Sequence, residues 1–296
     1  MGQKKNRRRA ESKLHRKQRC GAARDARAAL RAPPPDTPIS RATAEAFTRH
    51  NLKIGVYAPG ITVASVPLVL AINLSEREDR WEAFKSRADC IRWESNTKVD
   101  RVRAASADHH LLQEGKEFGA PAAIAVAGTS SKRNRCRACA LSHILALREV
   151  ENRNLTPALI CEDDLILTME GAMRRVPLPA FAAAVSVGHH SAMTTDEPVV
   201  YGGDEETEAL VSVKTGGYKS SAAGYLIPTR AKAQQLRKRL EAALRKGLDA
   251  PLDGILFHPR LFADDETKRV YLTKEPLFSQ DLTSFSSIEG RHYFRP

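Results

Sequence analysis

The run "PLVLAINL", residues 67–74, limits the fold more than any other stretch of the chain. It is short, rich in aliphatics and uncharged, as a strand buried in a sheet should be. The wider window "IGVYAPGITVASVPLVLAINLS", residues 54–75, is also uncharged and follows a basic arm. It therefore invites comparison with a membrane anchor, which needs about 20 apolar residues. Pro59-Gly60 and Pro67 interrupt the window, and Thr62, Ser65 and Asn73 dilute it. Strands are the expected outcome, and a membrane span is not.

A second aliphatic run, "PALICEDDLIL" (157–167), ends its apolar part in Glu162, Asp163 and Asp164. Between the two runs lie a charged segment, "SEREDRWEAFKSRADC", with Trp81, Phe84 and Ala88 at helical spacing, and a short alternating stretch, "KVDRVRAAS". An amphipathic helix follows over "RACALSHILALREVENRN", with Asn152 and Asn154 marking its end. Residues 106–135, including "GTSSKRNR", and residues 186–210 are polar and irregular and read as loops. "SSAAGYLIP" reads as a further strand, and "TRAKAQQLRKRLEAALRKG" as a helix capped by Thr229 and stopped by Gly247. "RVYLTKEPLFSQ" reads as the last good strand. The alternation of strand and helix predicts an α/β domain with a mostly parallel sheet flanked by helices.

The net charge of +12 is concentrated at one end. Residues 1–31 hold 12 Lys/Arg against Glu11 and Asp25, leaving the remainder at only +2. This basic segment has few large apolar side chains and is expected to be a disordered tail. A solvated or polyanion-binding arm, a nucleic-acid or nuclear-localisation patch, and a membrane-surface arm all fit it. Its lack of an apolar core does not suit a secretory signal, which points to the cytoplasm. Residues 32–53, with "PPPDTP" at their start, read as a proline-containing linker, and residues 54–296 as one domain.

The cysteines, Cys20, Cys90, Cys136, Cys139 and Cys161, are odd in number and scattered, which does not suit a disulfide framework. Cys136 and Cys139 form a lone CxxC without a second pair at zinc-ribbon distance. His109-His110 and His189-His190 fall in polar stretches and read as exposed loops. Asp264-Asp265-Glu266 reads as a turn before the last strand.

In open α/β sheets ligands sit outside the carboxyl ends of the strands, where both Glu162-Asp163-Asp164 and Asn73 through Arg77 are expected. Three adjacent carboxylates repel one another unless a positive group stands among them; otherwise some bind protons. An exposed acidic turn satisfies this, and so does a divalent cation. Oxygen-only ligands suit Mg²⁺ or Mn²⁺, which share their coordination with waters and substrate phosphates.

Several segments carry a family resemblance. "LAINLSEREDRW" resembles the opening Asn/Arg segment of glycosyltransferase family 25, the lipooligosaccharide and procollagen galactosyltransferases. "CALSHILALREV" resembles its Cys-x-x-Ser-His helix, and "ALICEDDLIL" its acidic strand end, a variant of Asp-x-Asp. "SSAAGYLIPTRAKAQQL", "PLDGILFH" and "EPLFSQDLTSFSSI" are similar to its later segments, in the same order, so that the likeness covers roughly residues 66–290. The sequence departs from the family at Arg135 and Ala138, where glycines are usual, and at Ser287, where an Asp is common.

The resemblance implies a GT-A-like nucleotide-diphospho-sugar transferase fold dependent on Mn²⁺ or Mg²⁺. It implies transfer of a hexose, such as galactose, from a nucleotide sugar, with UDP-sugars as the expected donors, to a saccharide or hydroxylated protein acceptor. Carried over by position, Asn73, Arg77 and Arg80 would serve the nucleotide, and Ser142, His143 and Tyr225 the donor pocket. Asp164 would be the main metal carboxylate together with Asp163, with Glu162 and Asp163 also contacting ribose or metal waters. Asp253, in "PLDG", would be the base that takes the acceptor's proton, although an Asp in a Pro/Gly turn is also commonplace. Two rivals remain: an inactive family member that binds partners, and a nucleic-acid-binding protein acting through the tail.

Overall fold

The structure is a computed structural model that describes residues 60–94, 96–106, 131–189, 199–201, 207–211, 223–245, 252, 256, 270–281, 285–286 and 291–292. The basic tail, the linker, Asp253, His109-His110, His190 and Asp264-Asp265-Glu266 lie outside the described residues.

The first half of the chain runs β1 (Ile61–Thr62), a single 3-10 turn, β2 (Leu68–Asn73), α1 (Glu78–Asp89), β3 (Lys98–Arg103), α2 (Ser131–Arg153), β4 (Ala158–Glu162), β5 (Leu165–Ile166) and α3 (Met169–Met173). The second half runs β6 (Arg175–Val176), β7 (Ala184–Gly188), β8 (Val199–Tyr201), β9 (Leu210–Val211), β10 (Gly224–Ile227), α4 (Arg230–Arg245), β11 (Val270–Thr273), β12 (Ser279–Gln280), β13 (Phe285–Ser286) and β14 (Arg291–His292).

Eight strands form the central sheet in the order β3-β2-β4-β10-β7-β11-β9-β8. β2 pairs in parallel with both β3 and β4, and β7 with β11, whereas β10 lies antiparallel between β4 and β7. The sheet is therefore mixed but mostly parallel in strand direction, with β10 and β9 reversed, and is compatible with a Rossmann-like fold.

Every residue of β2 is buried, and the strand's two faces serve two cores. Leu68, Leu70 and Ile72 meet Ile160 of β4 and Leu141, Ile144 and Leu147 of α2, over which Leu236 and Leu240 of α4 pack. Val69 and Ala71 face the other way, toward Phe84 and Ala88 of α1, Leu165 and Phe278. This period-two division is what an uncharged aliphatic run requires when helices cover both faces. Residues 61–73 thus form strands and a turn. Among the described residues, no helix is long and apolar enough to cross a membrane.

Helix α1 spans one crossover and α2 the next, and they land on opposite sides of β2. The chain moves from β2 to β3 and then across to β4. The strand order consequently reverses at the carboxyl ends of β2 and β4, the place where open α/β sheets bind ligands.

Three expectations are corrected. The segment "SKRNRCR" (131–137) is helical, because α2 starts at Ser131; Lys and Arg are good helix formers. Residues 186–210 are not a plain loop, since they include the end of β7 together with β8. His189 is buried and its Nε2 lies 2.8 Å from the Thr273 carbonyl, so it ties β7 to β11. The capping expectation at Thr229 holds, with Lys232 N donating to its Oγ1 at 3.3 Å.

The segment that returns to the sheet edge passes tightly over α3. A Cβ on Gly171 would lie 2.2 Å from the Leu277 carbonyl oxygen and 2.8 Å from Phe278 Cε1. Gly171→Ala is therefore expected to destabilise the protein by about 1–3 kcal/mol through overpacking, outweighing the gain in helix propensity of about 1 kcal/mol. Urea unfolding checks this, and an alanine variant as stable as the wild type contradicts it.

Candidate functional site at the junction of two parallel strands

The register of β2 with β4 sets Ile72 beside Glu162, so Asn73 and the acidic triplet leave the sheet together. Asp163 N donates to the Ile72 carbonyl at 3.1 Å, one residue past the last strand pair. Asp163 and Asp164 form the turn, and β5 begins immediately afterwards.

Asp163 faces inward. Its Oδ2 accepts from Asn73 Nδ2 at 2.6 Å, and its Oδ1 meets Arg80 Nη2 at 2.5 Å. Arg80 also reaches Asp164 Oδ2 at 3.0 Å, and one face of α1 supplies a second cation, Arg87, which donates to the Asp163 carbonyl at 3.0 Å. Asn73 Nδ2 in addition donates to the Arg77 carbonyl at 2.9 Å, closing the turn into α1. The Arg77 side chain itself pairs with Asp79.

Asp164 is held from the other side. β12 pairs with β5, placing Gln280 opposite Leu165, and Gln280 Nε2 donates to Asp164 Oδ2 at 3.0 Å. Asp281 N donates to the Asp164 carbonyl at 2.8 Å. The second carboxylate oxygen, Oδ1, is buried without a hydrogen-bond partner.

Glu162 points toward α2. Its Oε1 lies 3.4 Å from His143 Nε2 and 3.8 Å from Cys139 Sγ. These three residues form a possible metal-binding triad, with one ligand atom of each within 4.8 Å of the others. On its far side His143 Nδ1 lies 2.9 Å from the Tyr225 hydroxyl, and the two rings stack.

The carboxyl groups differ in their proton affinity. Burial raises Asp163, against the pull of Arg80 and the Asn73 hydrogen bond. Asp164 is raised to about 7, first by burial and then by the charge of Glu162, with Arg80 and Gln280 only partly offsetting them. For Glu162 burial works in the same direction, but the hydrogen bond and charge of His143, together with Arg80, hold it below the usual carboxylate range. Burial raises the Tyr225 hydroxyl well above its ordinary value, so it stays protonated.

The expected site residues fall into two groups. Asp163, Asp164, Arg80, Asn73 and Glu162 come together, as do His143 and Tyr225 behind Glu162. Their surroundings are as follows. Asn73 is 1% exposed, its Nδ2 is engaged with Arg77 and Asp163, and its Oδ1 is buried without a hydrogen-bond partner. Asp163 directs one oxygen to Asn73 and the other to Arg80. Tyr225 is likewise 1% exposed, with its hydroxyl beside His143 Nδ1. Ser142 and His143 lie well within α2. There the Ser142 hydroxyl donates to the Ala138 carbonyl and accepts from Ala105 N, linking α2 to the exit of β3.

Three contributors were not assigned to this site by the sequence reading. Arg87 lies seven residues after Arg80, on the same helical face. Gln280 sits in a strand pair too short to carry a pattern. Cys139 precedes His143 by four residues, a spacing that stacks the two side chains on one face of a helix.

No protein-family model matches the chain, and no curated protein does either.

The raised carboxyl of Asp164 has a measurable consequence. Between about 4 and about 7 the folded chain retains a proton that the unfolded chain has released, so this group's contribution to stability falls as pH rises through that window. Asp164→Asn removes that contribution. Urea unfolding at successive pH values is expected to show the wild type losing stability relative to the variant as pH rises. Parallel curves, or a wild type that gains on the variant, contradict the assignment.

Proposed function

We propose that the chain is a metal-dependent glycosyltransferase, moving a hexose from a nucleotide-diphospho-sugar to a saccharide or hydroxylated acceptor on a GT-A-like scaffold. One observation carries this reading. The Asn73–Arg80 turn after β2 and the acidic turn after β4 lock together at the carboxyl edge where the strand order reverses. These are two of the segments that resemble glycosyltransferase family 25, 90 residues apart in sequence and in contact in space.

The residues suit a hard divalent cation. Asp164 Oδ1 is a buried carboxylate oxygen without a partner. Asp164 would hold the Mn²⁺ or Mg²⁺, with Asp163 bracing the turn from behind. When bound, the cation neutralises charge on the departing nucleoside diphosphate. The chain's own residues supply the frame. Arg80 fixes the two aspartates relative to each other, Gln280 restrains the Asp164 carboxylate, and Arg87 tethers the turn to α1. Such restraint matters because a site that is preorganised loses little energy to reorganisation during the reaction. The acceptor proton needs a base, for which Asp253 is the proposed group.

A second reading, a family-like protein that binds a nucleotide without turning it over, is favoured by the full engagement of Asp163. The two separate in one assay. Release of nucleoside diphosphate from a panel of nucleotide sugars is expected in Mn²⁺, to be lost in chelator, and to fall at least about a hundredfold in Asp164→Asn with the circular dichroism spectrum unchanged. Mn²⁺-dependent nucleotide binding without turnover selects the binding protein. No turnover with any donor and no Mn²⁺-dependent nucleotide binding overturn both readings.

A further inference from the structure

Behind the acidic turn, on its α2 side, three side chains of different chemistry converge. Cys139 and His143 stand one helical turn apart on α2, and both face Glu162 at the end of β4. The separations from Glu162 Oε1, 3.8 Å to the thiol and 3.4 Å to the imidazole, are close to those of ligands sharing one ion at bond lengths of roughly 2.0–2.3 Å.

From this geometry we infer that Cys139, His143 and Glu162 form a binding site for a borderline-soft divalent cation of the zinc class, separate from the oxygen site at Asp164. Three features support it. The donor set is one thiolate, one imidazole and one carboxylate, which favours Zn²⁺ over Mn²⁺ or Mg²⁺ through the softness of sulfur and the order of divalent affinities. The imidazole is already oriented, since Tyr225 engages Nδ1 at 2.9 Å and leaves Nε2 directed at Glu162. In the tautomer with the proton on Nδ1, that N–H donates to the Tyr225 hydroxyl oxygen and Nε2 keeps the lone pair a cation needs, the usual support of a metal-bound histidine. Finally, burial is graded. His143 is 1% exposed, whereas the Glu162 side chain is 24% exposed, so the ion would enter from the Glu162 side.

Three protein ligands leave room for a fourth, exchangeable ligand, the arrangement of zinc sites that bind water or substrate. The inference does not depend on the transferase reading, because it rests on a different set of atoms and its test needs no turnover. The ion would bind the thiolate, so occupancy releases the Cys139 proton and weakens as pH falls.

The test uses the purified full chain, stripped with chelator and titrated with Zn²⁺ against a chromophoric competitor, and separately with Co²⁺ as a spectroscopic substitute. The expected result is one Zn²⁺ per chain and a thiolate-to-cobalt charge-transfer band. Cys139→Ala abolishes the band and lowers Zn²⁺ affinity at least about tenfold, while Cys136→Ala and Asp164→Asn change neither. Tyr225→Phe keeps the band but weakens Zn²⁺ by about 10- to 100-fold, the effect of losing an outer-shell partner. Glu162→Gln, which keeps the side chain's shape, also weakens Zn²⁺. Absence of a band in the wild type, a band that survives Cys139→Ala, or one lost in Asp164→Asn overturns the proposal.

Discussion

The carboxylate of Asp163, buried between Asn73 and Arg80, is the interaction on which the rest of the site depends. Burying a charge is costly unless it is paired and hydrogen-bonded, and here both oxygens are occupied at 2.5 and 2.6 Å. The bond to Asn73 joins the end of β2 to the end of β4, and the ion pair joins β4 to the first turns of α1. Sheet, helix and acidic turn are thereby fixed as one piece. Losing one partner would leave an unpaired charge inside the protein, which costs about 3–5 kcal/mol in comparable cases.

With Asp163 held between Asn73 and Arg80, its two neighbours face different surroundings. Asp164 looks toward Gln280 and keeps one oxygen unpartnered, which suits a hard cation beside phosphate. Glu162 looks toward α2, where a thiol and an imidazole provide softer company. Adjacent residues at a strand end can be separated in this way because successive side chains leave a strand on opposite faces and the turn then rotates the third. One acidic turn thus presents two distinct surfaces on either side of a buried brace.

Much of the fold was legible in the sequence because its elements are marked by strong local physics. The uncharged runs at β2 and β4 could only be buried, and the apolar spacing of α1 and the Thr229 cap of α4 announced helices. The direction of β10 was not legible, since its residues bury equally well in either orientation and only long-range packing decides. β7 was missed because "AAAVSVG" combines small residues with a glycine and lacks the bulky aliphatic signature of the other strands. The start of α2 was missed because a run of Lys and Arg resembles a loop in polarity while being fully compatible with helix. In the site, the three carboxylates were visible as a cluster. Their separate roles were not, because those depend on the β2–β4 register and on which way each residue turns. Tyr225 and Asn73 are almost wholly buried beside these groups, which the sequence alone does not reveal.

The central claim is that the turn after β4 and the turn after β2 together form a cation and diphosphate site at the switch in strand order. The most direct measurement is diffraction from crystals grown with UDP and Mn²⁺, recorded near the manganese absorption edge. The account predicts an anomalous peak within bonding distance of Asp164, with the diphosphate beside it at the carboxyl ends of β2 and β4. A manganese peak elsewhere, or none in crystals that contain the nucleotide, would contradict it.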